Sequence, residues 1–285
     1  MNFKKISAYF RLARLDKPIG IWLLLLPTLF NILFTTNILP LEIILVFVFG
    51  SIIMRSAGCV INDIWDIKID KQVQRTKNRP IASGEISILN ASIFFIFLSL
   101  LGLYLLLKLN TNTLYLGFVF LIMVIIYPLM KRFIALPQLF LAFTFNAGVL
   151  MSSMAIYNKI NLSSWILYSI CFFWILAYDT VYAHQDKKDD LKIGVKSSAI
   201  YFDNWTKIYI SICYSILFIG LIVIAWLNHN HLIFYIGLLL IMTITFYKIK
   251  TLNLDNPKEC HHFFINNSTT AWFLLAILLL DKMVK

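Results

Sequence analysis

Nine apolar stretches, each about 18–22 residues long, follow one another along the chain at 17–36, 40–60, 88–107, 112–130, 134–156, 163–182, 206–228, 231–249 and 263–280. A helix rises about 1.5 Å per residue, so each stretch is long enough to cross roughly 30 Å of hydrocarbon. Hydrocarbon offers no water to satisfy backbone N–H and C=O groups, and a spanning segment must close its own hydrogen bonds as an α-helix. The expected fold is therefore all-α. It is a polytopic membrane bundle of about nine transmembrane helices with cytoplasmic cap loops, forming one domain over residues 1–285. Composition agrees: 60% of residues are hydrophobic and 14% charged, against about 25% charged in a soluble domain.

Charge then orients the bundle. If the N-terminus is cytoplasmic, only Lys108, Lys159, Lys282 and Lys285 of the 25 Lys and Arg fall on the opposite side. That asymmetry is the positive-inside pattern. The net charge of +11 is thereby read as topology, and nucleic acid is not an expected partner. Residues Met1–Arg14 read as a basic amphipathic segment lying on the membrane rather than a cleavable signal peptide. The segment is too short for a convincing transit peptide, so a bacterial cytoplasmic (inner) membrane is expected. Cys59, Cys171, Cys213 and Cys260 lack C-x-x-C spacing and read as small apolar residues. His229, His231, His261 and His262 fall in expected loops.

Two connections are long, about 62–87 and 183–205, and each begins with an acidic run. The runs hold six of the 14 Asp and Glu: Asp63, Asp66, Asp70, Asp186, Asp189 and Asp190. Asn62, Asp66 and Asp70 stand at i, i+4 and i+8, and so do Tyr182, Asp186 and Asp190. On a helix this spacing drifts about 40° per step, which puts each trio on one stripe. The match suggests a weak repeat with halves at about 1–130 and 131–285. Two facing stripes would make one site between them.

One isolated D-x-x-x-D is usually a solvated face. Two copies at matching spacing, each after a membrane span and each followed by basic residues, point instead to metal and phosphate. Mg²⁺ takes hard oxygen ligands and commonly binds through one or two carboxylates plus substrate phosphates. Metal held by Asn62, Asp66, Asp70, Asp186 and Asp190 would neutralise a diphosphate as it leaves. If an allylic lipid carries that diphosphate, the apolar bundle shelters both the tail and the cation from water. Arg75, Arg79, Lys131, Tyr182 and Lys196 are candidates to hold the diphosphate. Arg55 lies seven residues before Asn62, on the same face and deeper in the membrane, where a charge is a functional candidate. It could receive an anionic group of a second, smaller substrate. Asp179, one turn before Tyr182, is a candidate ligand of second rank or a hydrogen-bond partner.

These residues resemble the intramembrane aromatic prenyltransferases of the UbiA superfamily. Asn62-Asp63-x-x-Asp66-x-x-x-Asp70 is similar to the family's first signature, and Arg75-Thr76-Lys77-Asn78-Arg79-Pro80 continues it. Asp179 through Tyr182, Asp186, Asp189 and Asp190 to Lys196 resembles the second. Leu15-Asp16-Lys17-Pro18-Ile19-Gly20, with Tyr127-Pro128 and Leu136-Pro137-Gln138, is similar to the 4-hydroxybenzoate branch. The resemblance implies a Mg²⁺-dependent transfer of a polyprenyl group from polyprenyl diphosphate to the ring carbon beside the hydroxyl of 4-hydroxybenzoate, a step of ubiquinone biosynthesis. It implies Asp66, Asp70, Asp186 and Asp190 as the catalytic metal–diphosphate set. It leaves Arg55 and Arg132 as rivals for the acceptor carboxylate. His184 departs from the pattern, which expects an apolar residue there, but lies off the stripe. The alternatives are a sibling enzyme with a naphthoate or haem-like acceptor, and a divalent-cation transporter.

Overall fold

The computed structural model describes residues 3–130, 134, 136–194 and 196–284. Lys131 and Arg132 lie outside the described residues. The chain forms fourteen α-helices and no strand among the described residues: α1 (Phe3–Leu12), α2 (Ile19–Thr35), α3 (Leu41–Trp65), α4 (Ile67–Asp70), α5 (Ile88–Leu106), α6 (Thr111–Met130), α7 (Pro137–Phe145), α8 (Ala147–Tyr157), α9 (Leu162–Ala183), α10 (Lys187–Ile193), α11 (Ser198–Phe202), α12 (Thr206–Leu227), α13 (Leu232–Thr251) and α14 (Pro257–Val284). Seven helical segments among them are long and apolar enough to cross a membrane, counting α7–α8 as one and α11–α12 as one. The shorter apolar helices Ile19–Thr35 and Thr111–Tyr127 coincide with the first and fourth expected spans.

Where the sequence suggests one span over 134–156, the structure has two helices meeting at Asn146. The cause is a polar side chain in an apolar run. Asn146 is buried, and its Nδ2 donates to the Tyr168 carbonyl on α9 at 2.6 Å. Its backbone leaves helical geometry at φ −103°, ψ 18°, which ends α7 and starts α8. Just beyond the break, α8 lies close against α2. A Cβ added at Gly148 would stand 2.0 Å from Thr28 Oγ1, and Asn31 Nδ2 donates to Ser152 Oγ at 2.9 Å. Gly148→Ala should therefore destabilise the protein by about 1–3 kcal/mol, the usual range for overpacking. A lower midpoint of thermal unfolding in detergent checks this.

The helices form a closed ring, with α14 returning to α2. Trp22 and Trp272 meet edge-to-face at 5.3 Å across that seam. At the far end, two adjacent residues of α14 clasp both neighbours. Asp281 accepts from His231 N at the start of α13 at 2.9 Å. Lys282 Nζ donates to the Leu33 carbonyl at 3.0 Å and to that of Thr36, satisfying carbonyls that the end of α2 leaves open. The sequence presents Lys282 only as a charge on the far side. The largest apolar core joins α2, α9, α12, α13 and α14 around Leu26, Phe30, Trp174 and Phe234. A smaller one joins α1, α3 and α5 around Leu12, Val60 and Ala91. The four cysteines are buried and free.

Candidate active site

Both acidic runs occupy the same kind of position. α3 ends at Trp65 and α9 at Ala183, and each is followed by a short helix, α4 or α10. The middle aspartate stands at the break in both: Asp66 at φ −90°, ψ 5° and Asp186 at φ −104°, ψ 0°. The expected continuous stripes are thus interrupted. In the first run the four-residue register survives through Asp66 N to Asn62 O (2.9 Å) and Asp70 N to Asp66 O (2.8 Å). In the second the turn tightens, with Asp186 N donating to Ala183 O at 3.2 Å before Asp190 N returns to Asp186 O at 2.8 Å.

The two runs open into one cavity of about 1380 Å³. Asn62, Asp66, Asp70, Arg75, Arg79, Tyr182, Asp186, Asp190 and Lys196 line it, with Asp179. Its remaining walls include Leu100, Leu103 and Leu106 of α5 and Phe118, Leu121 and Val124 of α6. The sequence-derived site residues that lie within the described structure are therefore brought together, Arg55 included.

Arginines bridge the runs. Arg75 Nε donates to Asp186 Oδ1 at 2.9 Å, and Nη1 to the Tyr182 hydroxyl at 2.9 Å. The Arg75 guanidinium also lies over the Tyr182 ring, 5.1 Å from its centroid. The backbone N–H of Gln74 donates to Asp189 Oδ2 at 3.2 Å. Arg79 Nη1 donates to Asp70 Oδ2 at 2.9 Å and to Asp63 Oδ1 at 3.1 Å. Burial pushes the Asp70 carboxyl above the usual carboxylate range, with the Arg79 charge working against it. Burial and the Arg79 charge thus act on the Asp70 carboxyl in opposite directions.

Asp63 is the site residue that stripe reasoning misses. It is only 1% exposed, and Arg14 Nη2 grips both its oxygens at 2.8 and 2.7 Å. Arg14 has a left-handed backbone (φ 58°) just after α1, and its Nη1 also donates to the Arg11 carbonyl at 2.8 Å. The result is a chain of charges, Arg14–Asp63–Arg79–Asp70, that ties the N-terminal helix to the first acidic run. The place of Asp63 in the first acidic run and in the first signature marked it, but gave it no partner. The Arg14 partner lies 49 residues away.

Arg55 lies in the cavity wall, its guanidinium 5.2 Å from the Phe145 ring centroid. Its Nε is buried without a hydrogen-bond partner. Gly20 makes the room: a Cβ there would stand 2.4 Å from Arg55 Nε. Gln138 also lines the cavity, and its Oε1 accepts from Ser198 N at 3.2 Å. His184 is buried, with Nε2 and Thr206 Oγ1 3.1 Å apart. Burial and then nearby Lys187 push it down to about 4, so it is a neutral packing group away from the cavity. His261 and His262 are not in a loop. They lie in the first turns of α14, which starts at Pro257, a residue suited to the first helical position, and they line the cavity as well.

Among the described residues, no three acidic, His or Cys side chains cluster closely enough to hold an ion by themselves. The donors instead fall into two oxygen-rich groups lining one cavity, one following α3 and one following α9. That suits a hard cation sharing its coordination with phosphate oxygens, which uses few protein ligands per ion.

The chain is 37% identical over 283 residues to the 4-hydroxybenzoate octaprenyltransferase of Nitrosospira multiformis, covering 99% of this chain and 98% of that protein. It is 39% identical over 280 residues to the protein of that name from Legionella pneumophila, covering 96% and 99%. Among solved structures, a UbiA homolog from Archaeoglobus fulgidus bound to DMAPP and Mg²⁺ shares the fold, with a TM-score of 0.73 at 18% identity over 97% of this chain and 99% of the other. A digeranylgeranylglyceryl phosphate synthase does so with a TM-score of 0.72 at 21% identity over 99% and 100%. A model of the UbiA prenyltransferase family matches residues 24–278, and with full-length relatives above one-third identity the chain belongs to that family.

Proposed function

We propose that this prenyltransferase moves a polyprenyl group from polyprenyl diphosphate to the ring carbon ortho to the hydroxyl of 4-hydroxybenzoate, in ubiquinone biosynthesis. One observation carries the reading: both aspartate runs and their arginines line a single cavity to which α5 and α6 contribute apolar Leu, Phe and Val walls. A diphosphate with a long hydrocarbon tail has that polarity. The printed names of the full-length relatives support the acceptor.

Asn62, Asp66, Asp70, Asp186 and Asp190 would hold Mg²⁺, which when bound neutralises the diphosphate and makes it a better leaving group. Arg75 and Arg79, paired with Asp186 and Asp70 in the ligand-free chain, exchange those carboxylates for phosphate oxygens. Tyr182 and Lys196 line the same cavity, and Lys131 is assigned beside them from sequence alone. The Leu and Phe side chains of α5 and α6 take the tail and exclude water from the allylic cation. Arg55 receives the acceptor carboxylate. It is half-buried, lies over the Phe145 ring and has a buried, unused Nε–H, whereas Arg132 rests on the sequence alone. The active-site loops face the cytoplasm from the bacterial inner membrane, following the positive-inside charge.

The test is a product assay on membranes containing the protein, with polyprenyl diphosphate and a panel of 4-hydroxybenzoate, a dihydroxynaphthoate and a haem. Prenylated 4-hydroxybenzoate is expected with Mg²⁺, with none after chelation and recovery on adding Mg²⁺ back. Product from another acceptor alone overturns the acceptor assignment. Absence of any diphosphate release overturns the enzyme reading.

A further inference from the structure

Two buried polar atoms of cavity-lining residues have no hydrogen-bond partner: Arg55 Nε on α3 and the Tyr178 hydroxyl on α9. Buried polar groups in folded proteins are nearly always satisfied, so an orphan on a cavity wall points to a ligand. Tyr178 is 2% exposed. Its ring is fixed edge-on between Trp174 at 5.5 Å and Phe264 at 5.7 Å, which leaves the hydroxyl little freedom to find a partner elsewhere. Arg55 and Tyr178 are within electrostatic reach of each other.

Depth gives the two groups different tasks. Asp66 and Asp186 each stand at the break between a long helix and a short one, which gives each helix its own reference point. Arg55 lies 11 residues before Asp66, or about 16 Å along α3, and Tyr178 lies 8 before Asp186, or about 12 Å along α9. Tyr178 thus stands nearer to the aspartate break of its own helix than Arg55 does to that of α3, and a para-substituted ring offers one polar group to each. A carboxylate on Arg55 would leave the opposite end of such a ring near Tyr178.

Resting on the function proposed above, we infer that the Tyr178 hydroxyl hydrogen-bonds the phenolic oxygen of the acceptor and so fixes which ring carbon faces the prenyl donor. Arg55 recognises the acid, Tyr178 recognises the phenol, and together they select a para-hydroxy acid over other aromatic acids. The carbon beside the phenol is presented because Tyr178, which holds that end of the ring, is the group nearer its aspartate break.

Tyr178→Phe removes the hydroxyl and keeps the ring between Trp174 and Phe264. The expected result is a rise of about tenfold in KM for 4-hydroxybenzoate, the range for one lost hydrogen bond, with KM for polyprenyl diphosphate unchanged. Benzoate, which lacks the phenol, should inhibit wild type and Tyr178→Phe equally, whereas Arg55→Ala should weaken both ligands. An unchanged KM in Tyr178→Phe, or a loss of benzoate inhibition equal to the loss for 4-hydroxybenzoate, overturns the inference. A wild-type protein inactive on 4-hydroxybenzoate overturns the function beneath it instead.

Discussion

Asp66→Ala and Asp186→Ala should each lower diphosphate release from polyprenyl diphosphate by about 10³-fold or more, the scale of losing a preorganised charge-stabilising group. The expectation rests on position. Each middle aspartate sits where a membrane-length helix gives way to a short one, and lines the cavity. Neither variant should fold poorly on account of a broken backbone turn, since both breaks are held by main-chain hydrogen bonds. Asp186→Ala has a second effect, because it strips Arg75 of its carboxylate partner and loosens the bridge between the two runs. Release of labelled diphosphate, measured with Mg²⁺ and without an aromatic acceptor, isolates this step from ring alkylation. Activity above one-tenth of wild type in either variant would remove the metal–diphosphate assignment.

Asp63→Ala should cost about 1–3 kcal/mol of stability, the range for stripping a charged hydrogen-bond partner from partly buried groups, and should also depress activity. At 1% exposure Asp63 takes charge from two arginines, Arg14 and Arg79. Removing it leaves both guanidiniums facing each other's field with only Asp70 to answer them. The exposed pair Arg11–Glu85 is a useful control. Glu85→Ala should cost well under about 1 kcal/mol, because solvent screens that pair. Thermal unfolding in detergent compares the two. Equal, small shifts would mean that the Arg14–Asp63–Arg79–Asp70 chain carries no structural weight.

These residues also mark where sequence reasoning succeeds and stops. Span positions were legible because a bilayer imposes a length and a polarity on each segment, and both are local properties. Asp66, Asp70, Asp186 and Asp190 could be singled out because a repeated four-residue spacing at the end of an apolar span is a local pattern, while the cavity that both runs line is a tertiary fact. The break at Asn146 was not, since a single Asn in an apolar run does not announce that it will bond to Tyr168 on another helix. Nor was the fate of His184, whose neutrality comes from burial against Thr206.

The amino-acid sequence alone determined an all-helical membrane chain with two matched carboxylate runs at the ends of spans, because hydrophobic length and helical period are written within 20 or so residues of one another. Only the tertiary structure decided which charges meet. Arg75 reaches Asp186 across 111 residues and Arg14 reaches Asp63 across 49. Gly20 yields its side-chain space to Arg55, and Arg55 Nε and the Tyr178 hydroxyl are left without hydrogen-bond partners in the cavity lining. Such pairings depend on how helices pack around a shared cavity, and local spacing carries no record of that.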